Sequence, residues 1–137
     1  HKEYRRQRQM CIRDSLDTVA IAPGESELFS LYDGIEHTFQ GSWAEIQENL
    51  DGELAELVAK LTAQASPSAL VAAAELFAAN ATQGLAGALD NERRLGALMT
   101  REPDFAEGVR AVLVDKDQSP NFAPQPEPGK YRDVLRN

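Results

Sequence analysis

The sequence predicts an all-α fold, on three observations. Apolar residues recur at helical spacing from about residue 26 to about 115, residues that start and stop helices punctuate those runs, and no segment alternates apolar and polar residues as a half-buried strand would. The Ala-rich stretch 63–97 suits helices packed closely together.

Taken in order, Leu28, Leu31, Tyr32, Ile35 and Phe39 share one face of a first helix over about 26–39, and Gly41 stands where a left-handed residue ends a helix. Ser42 and Glu45 have capping-box spacing, in which the hydroxyl accepts from the N–H three residues on and the carboxylate reaches back to the cap. Trp43, Ile46 and Leu50 then stripe a short second helix. Beyond Asp51-Gly52, Leu54, Leu57, Val58 and Leu61 mark a third. Ser66-Pro67 opens a fourth, because Ser satisfies a free N–H of the first turn and Pro lacks one to satisfy. Leu70, Ala73, Ala74 and Phe77 form its apolar face.

Thr82 reads as the cap of a helix over about 83–101 with Leu85, Leu89, Leu95 and Met99 inward; the same wheel places Glu92 and Gly96 inward. Asp104 and Glu107 read as another N-terminal box. Phe105, Gly108, Val109 and Val112 are then the buried side of a helix ending near Asp115, with Val114 facing the other way. After Lys116 the prolines at 120, 124, 126 and 128 favour an extended strap before a last helical turn or two within 130–137. No internal repeat is visible.

A length of 137 residues suits one domain and excludes two large ones. With 42% hydrophobic and 26% charged residues, the composition is that of a soluble globular chain. No apolar run approaches the roughly 18 residues of a membrane span, and the N-terminus lacks an apolar signal core, so a cytoplasmic chain with no membrane partner is expected. Fourteen Lys and Arg against 22 Asp and Glu give a net charge of −8, which argues against a nucleic-acid partner.

Residues 1–15 differ from the rest: they hold five of the cations, two of the anions and the single cysteine, Cys11. A basic arm that binds nucleic acid or an acidic membrane is one reading. A second fits better, because Arg5 to Ser15, RRQRQMCIRDS, resembles one frame of a translated transposase sequencing adapter over eleven residues without a gap. Residues 16–137 then carry net −11 and no cysteine, which removes thiolate metal sites, cysteine nucleophiles and redox motifs. An adapter fused in frame also implies that the chain is a truncated piece. Residues 16–25, with Pro23 and Gly24, read as a linker.

Few residues invite chemistry. His37 is the single histidine after residue 15, has no second histidine at ligand spacing, and reads as a partly exposed residue near a helix end. The serines include no Gly-x-Ser-x-Gly elbow. Gly84-Leu85-Ala86-Gly87 lacks the lysine and preceding strand of a phosphate loop. Glu92, on an apolar face, needs a partner such as Arg110 or Arg93. No catalytic and no metal-binding residue is assigned.

The run from Asp104 to Phe122, DFAEGVRAVLVDKDQSPNF, resembles the C-terminal signature of the 3-hydroxyisobutyryl-CoA hydrolase branch of the enoyl-CoA hydratase/isomerase (crotonase) superfamily. Similarity extends to Glu92-Arg93-Arg94-Leu95, Ser66-Pro67-Ser68-Ala69-Leu70, Ile35 to Phe39 and Trp43 to Ile46, and covers about residues 24–124. The resemblance implies the C-terminal helical region of a crotonase fold with the N-terminal αβ core missing. It further implies a parent enzyme that hydrolyses 3-hydroxyisobutyryl-CoA in valine catabolism, an acyl-CoA substrate with no separate cofactor, and a fragment inactive alone. Lys116 is the residue it implies for CoA phosphate contact, beside its local role as a cation at a helix C-terminus. An aromatic residue near Gly96, present in some members, is absent here. The organisation expected is 1–15 adapter-derived, 16–25 linker, 26–117 helical region and 118–137 Pro-rich tail, with the oligomeric state unassigned. A hydratase or isomerase of other specificity, or an acidic helical interaction module, remain alternatives.

Overall fold

The structure is a computed structural model that describes residues 2–21, 24, 26 and 28–136. Pro23, on which the expected linker partly rests, lies outside the described residues, as do the side chains of Arg5, Arg6, Arg8 and Arg13. The chain divides into two compact units, with the boundary in sequence between Leu31 and Tyr32.

The first unit contains helix α1, Lys2–Val19, and a 3₁₀ turn, Phe29–Leu31. α1 runs through the compositional break at Leu16, so the beginning of the 16–25 segment is helical. Its Met10, Ile12, Leu16 and Val19 are exposed.

The second unit holds seven helices among its described residues. α2, Tyr32–Thr38, ends before Gly41, whose φ of +84° supplies the expected reversal. α3, Trp43–Asn49, starts on the complete capping box: the Ser42 N–H and hydroxyl both donate to Glu45 Oε2 at 2.7 Å, and the Glu45 N–H donates to Ser42 Oγ at 3.4 Å. α4, Gly52–Thr62, buries Leu54 and Val58. α5, Pro67–Asn80, opens as expected, with the Ala69 N–H donating to Ser66 Oγ at 3.2 Å.

α6, Leu85–Met99, departs from expectation at its start. Gly84 is the cap residue, and the Thr82 hydroxyl turns back to the Ala79 carbonyl at 3.5 Å. α7, Pro103–Val109, is capped by Glu102 and runs into a π-turn, Arg110–Val114. The expected Asp104–Glu107 box does not form, because both carboxylates bond elsewhere. The strap follows without regular structure and ends in α8, Gly129–Leu135.

α5 is the hub, packed against α3, α6 and α8. Its Val71, Ala72 and Glu75 are buried, as are Leu95 of α6 and Tyr131 and Leu135 of α8. Polar ties fix these helices: Asn91 Nδ2 donates to Asn80 Oδ1 at 3.0 Å, and Arg132 grips buried Glu75 with Nε and Nη2 at 2.6 and 2.9 Å.

The periodicity misplaced several faces. Phe77, expected inward, is 76% exposed at the rim of an apolar cavity of about 750 Å³, which Leu70 and Ala73 line with Phe39, Trp43, Ile46 and Leu61. On α6 the expected inward stripe holds only in part: Leu95 is buried as expected and Met99 half-buried, but Leu85 is 78% exposed and Leu89, Glu92 and Gly96 are exposed, while Asn91, not expected inward, is buried. Phe105, Val109 and Val112 of the expected buried side of α7 are likewise exposed. An all-α domain closes its helices around their apolar stripes; these helices leave several stripes open, so a self-contained helical bundle does not describe the second unit.

Candidate functional site

The signature that begins at Asp104 folds into two polar nodes. In the first, Asp104 is 6% exposed and joins three segments. Its Oδ2 accepts from the hydroxyls of Ser66 at 2.5 Å and Ser68 at 2.8 Å, and its Oδ1 accepts from the Ala123 N–H at 3.0 Å. Burial pushes the carboxyl up, but the bonds from Ser66, Ala123 and Ser68 and the charge of Lys130 outweigh it and hold it below its ordinary value. This node fastens the strap to the starts of α5 and α7.

Beside it, Phe105, Gly108, Val112 and Phe122 line a second cavity of about 380 Å³. Gly108, expected on the buried side of its helix, is half-buried, and its neighbour is the Phe122 ring of the strap, which a Cβ would meet at an ordinary 3.8 Å.

The second node is built where α7 changes pitch. The Asp115 N–H donates to the Arg110 carbonyl at 2.8 Å, a bond one residue longer than an α-helix makes, and such π-turns are common at functional sites. Ala111, fully buried, anchors the turn, and the Gln118 N–H returns to its carbonyl at 3.1 Å. The chain then reverses through Lys116 at φ +57° and Gln118 at φ +53°, left-handed positions that side chains other than glycine seldom occupy.

Arg110 organises this reversal with its whole guanidinium. Nε and Nη2 form a fork on Glu107 at 2.9 and 2.8 Å, Nη1 donates to Asp115 and Asp117 at 2.6 Å each, and Nη2 also reaches the Ser119 carbonyl at 3.2 Å. Asn121 adds a backbone N–H to Glu107 at 2.7 Å. The Arg110 bonds first, then that N–H, hold the Glu107 carboxyl down to about 2; Asp117 is lowered by Arg110 and by the Ser119 N–H. Arg110 itself is raised by the three carboxylates.

Lys116 is exposed, and its ammonium makes no hydrogen bond or ion pair among the described residues. The structure therefore brings Lys116 into one turn with Glu107, Arg110, Asp115 and Asp117, a cluster the sequence reading missed. The signal for it is the placing of acids three, five and seven residues from Arg110. The partnership expected for Glu92 is corrected: Arg110 is committed to these acids, and Glu92 is exposed. His37 is exposed in the last turn of α2. Ser66 and Ser68 serve Asp104, and Gly84 is a helix cap. Among the described residues no group of three or more His, Cys, Asp or Glu could hold a metal ion, and no helix is long and apolar enough to cross a membrane.

The family model for enoyl-CoA hydratase/isomerase matches residues 2–130, a range that includes the adapter-like segment. The mitochondrial 3-hydroxyisobutyryl-CoA hydrolase of Dictyostelium discoideum is 38% identical over 96 residues, 66% of this chain and 25% of that protein. The Gallus gallus protein of the same name is 44% identical over 59 residues, 43% of this chain and 15% of that protein. The chain thus spans a quarter or less of these curated relatives. A crystal structure of an enoyl-CoA hydratase from Rhodobacter sphaeroides 2.4.1 superposes with a TM-score of 0.70 and 29% identity, over 94% of this chain and 42% of that one.

This likeness corrects the expected all-α class. The helices belong to a crotonase fold that accounts for 94% of the chain, and periodicity, which reports how each segment winds, carries no information about the other layers of a fold. On the match over residues 2–130 and the superposition together, the chain belongs to the enoyl-CoA hydratase/isomerase family.

Proposed function

We propose that the enzyme containing these residues is a CoA thioester hydrolase acting on 3-hydroxyisobutyryl-CoA in valine catabolism, and that Lys116 contacts the phosphates of CoA. The observation that carries this reading is the second node. Glu107, Asp115 and Asp117 of the hydrolase-like signature all accept from Arg110, and the Lys116 ammonium is exposed. The hydrolase names of the relatives support the specificity.

In the proposed reaction water adds to the thioester carbonyl, the C–S bond breaks, and the CoA thiol leaves with a proton as the hydroxy acid forms. Lys116 takes no part in bond making; it binds the far end of the substrate, equally in ground and transition states. Loss of such an interaction raises KM and leaves kcat unchanged.

The test is thiol release from 3-hydroxyisobutyryl-CoA by the protein of the full reading frame, with and without Lys116→Ala. The variant is expected to raise KM several-fold at constant kcat; an unchanged KM overturns the Lys116 assignment. Residues 1–137 alone are expected to release no CoA. The likeness to a structure named as an enoyl-CoA hydratase favours a second reading, hydration of an enoyl thioester. Turnover of crotonyl-CoA without thiol release decides for it. We also read residues 1–15 as adapter-derived, and genomic sequence across Leu16 tests that directly.

A further inference from the structure

We infer that Arg110 is a positioning residue for anion binding: it sequesters the two carboxylates that flank Lys116, so that the ammonium between them stays available to a phosphate group. The inference rests on the reading that Lys116 meets the phosphates of CoA.

Lys116 stands between Asp115 and Asp117 in sequence, and a lysine so placed would ordinarily be neutralised by one of them. Here neither pairs with it. Both give an oxygen to Arg110 Nη1 at 2.6 Å, and Glu107 occupies the other edge of the guanidinium. The left-handed φ values of Lys116 and Gln118 carry the chain around this cation. Such backbone conformations persist only where surrounding bonds hold them, and the bonds from Arg110 to Asp115, Asp117 and the Ser119 carbonyl span the reversal. With Arg110 the five side chains carry one net negative charge; without it they carry two, with both flanking carboxylates released toward Lys116. An approaching phosphate would then meet unpaired acids. Lysine cannot replace Arg110, since one ammonium lacks the planar set of donors that serves three carboxylates.

The experiment is calorimetric titration of the 137-residue chain with CoA and with dephospho-CoA, which lacks the 3′-phosphate. The readout is the ratio of the two dissociation constants, which a general loss of stability would not change in a chain that is still folded. The wild-type chain is expected to favour CoA by about tenfold, the worth of one charge-assisted contact. Lys116→Ala abolishes that preference. Arg110→Gln and Arg110→Lys each reduce it to about twofold or less although Lys116 is intact, and adding Asp115→Asn and Asp117→Asn to Arg110→Gln restores it. A preference that survives Arg110→Gln, while Lys116→Ala loses it, overturns the inference and leaves the phosphate reading standing. Failure of the asparagine pair to restore it shows that Arg110 acts through structure alone, which also overturns the inference. If the wild-type chain shows no preference, or Lys116→Ala keeps it, the phosphate reading fails and the inference with it. Thermal melts identify any variant that does not fold; should Arg110→Gln be one, Arg110→Lys carries the comparison.

Discussion

Substitution of Asp104 should be among the more damaging single changes at the charged residues of the second unit. The carboxylate is buried and accepts from two hydroxyls and one backbone N–H, drawn from the start of α5 and from the strap. Hydrogen bonds to a charged partner contribute about 1.5–3 kcal/mol each, but not additively, and the freed donors recover part by hydration. We expect Asp104→Ala to cost about 3 kcal/mol and Asp104→Asn, which keeps one acceptor, about 1–2 kcal/mol. The assay is urea unfolding of the full chain followed by circular dichroism. With a slope of about 2 kcal/mol/M, the alanine midpoint should fall by about 1.5 M. Asp90→Ala, which removes exposed contacts to Arg93 and Arg94, is the control and should cost under about 0.5–1 kcal/mol. The sign with pH is set by the folded-state carboxyl lying below its ordinary 3.8. The contribution of Asp104 is present in full above that value and is lost as pH falls through the lower folded-state one, so wild type and Asp104→Asn should converge under acid. An alanine variant within about 0.5 kcal/mol of wild type at pH 7 would refute the claim that this node holds the strap.

Tyr131 is fully buried and its hydroxyl makes no hydrogen bond among the described residues, so Tyr131→Phe should be neutral or stabilising by up to about 1 kcal/mol in the same unfolding assay, whereas Tyr131→Ala should cost about 3–5 kcal/mol. Gly41→Ala should cost about 1–2 kcal/mol, because φ is +84° and the new Cβ would lie 2.6 Å from the Glu45 oxygen that closes the capping box; a neutral result in thermal melts would mean that the box is dispensable. Glu75→Gln breaks a fork with Arg132 on a carboxylate that is 8% exposed and should cost about 2–4 kcal/mol, and a cost like that of the exposed Asp90 pair would count against α8 being docked through it.

What the sequence disclosed followed the range of the interactions. The Ser42–Glu45 box and the Ser66-Pro67 start close within three residues, and both formed as their spacing implies. The expected inward faces failed in part on α5 and α6, at Phe77, Leu85 and Leu89 but not at Ala74 or Leu95, because apolar or small residues there occupy more than one stripe. On α6, Leu85 and Leu89 make one stripe while Asn91 and Leu95 lie on another; the periodicity marks both and the packing partner selects the second. Asn91 becomes inward because Asn80 of the neighbouring helix satisfies its amide, a fact no local window contains. Asp104 illustrates the same limit. Three residues from Glu107, it has the spacing of a helix-start box, yet its donors lie 36 and 38 residues before it and 19 after.

The Lys116 turn falls between these cases. All of Arg110's side-chain partners lie within seven residues, so the cluster is local in sequence, but its spacing of three, five and seven fits neither a helix nor a strand. It becomes intelligible only once the helix has slipped into a π-turn and two residues have turned left-handed, which places Asp115 and Asp117 on one nitrogen of the guanidinium. A helix continuing at α pitch would carry Asp115 and Asp117 to different faces, and one of them would be free to neutralise Lys116. The π-turn, the left-handed pair and the arginine therefore stand or fall together: each is unfavourable or unremarkable alone, and their joint effect is a lysine between two acids whose charge is not consumed by either.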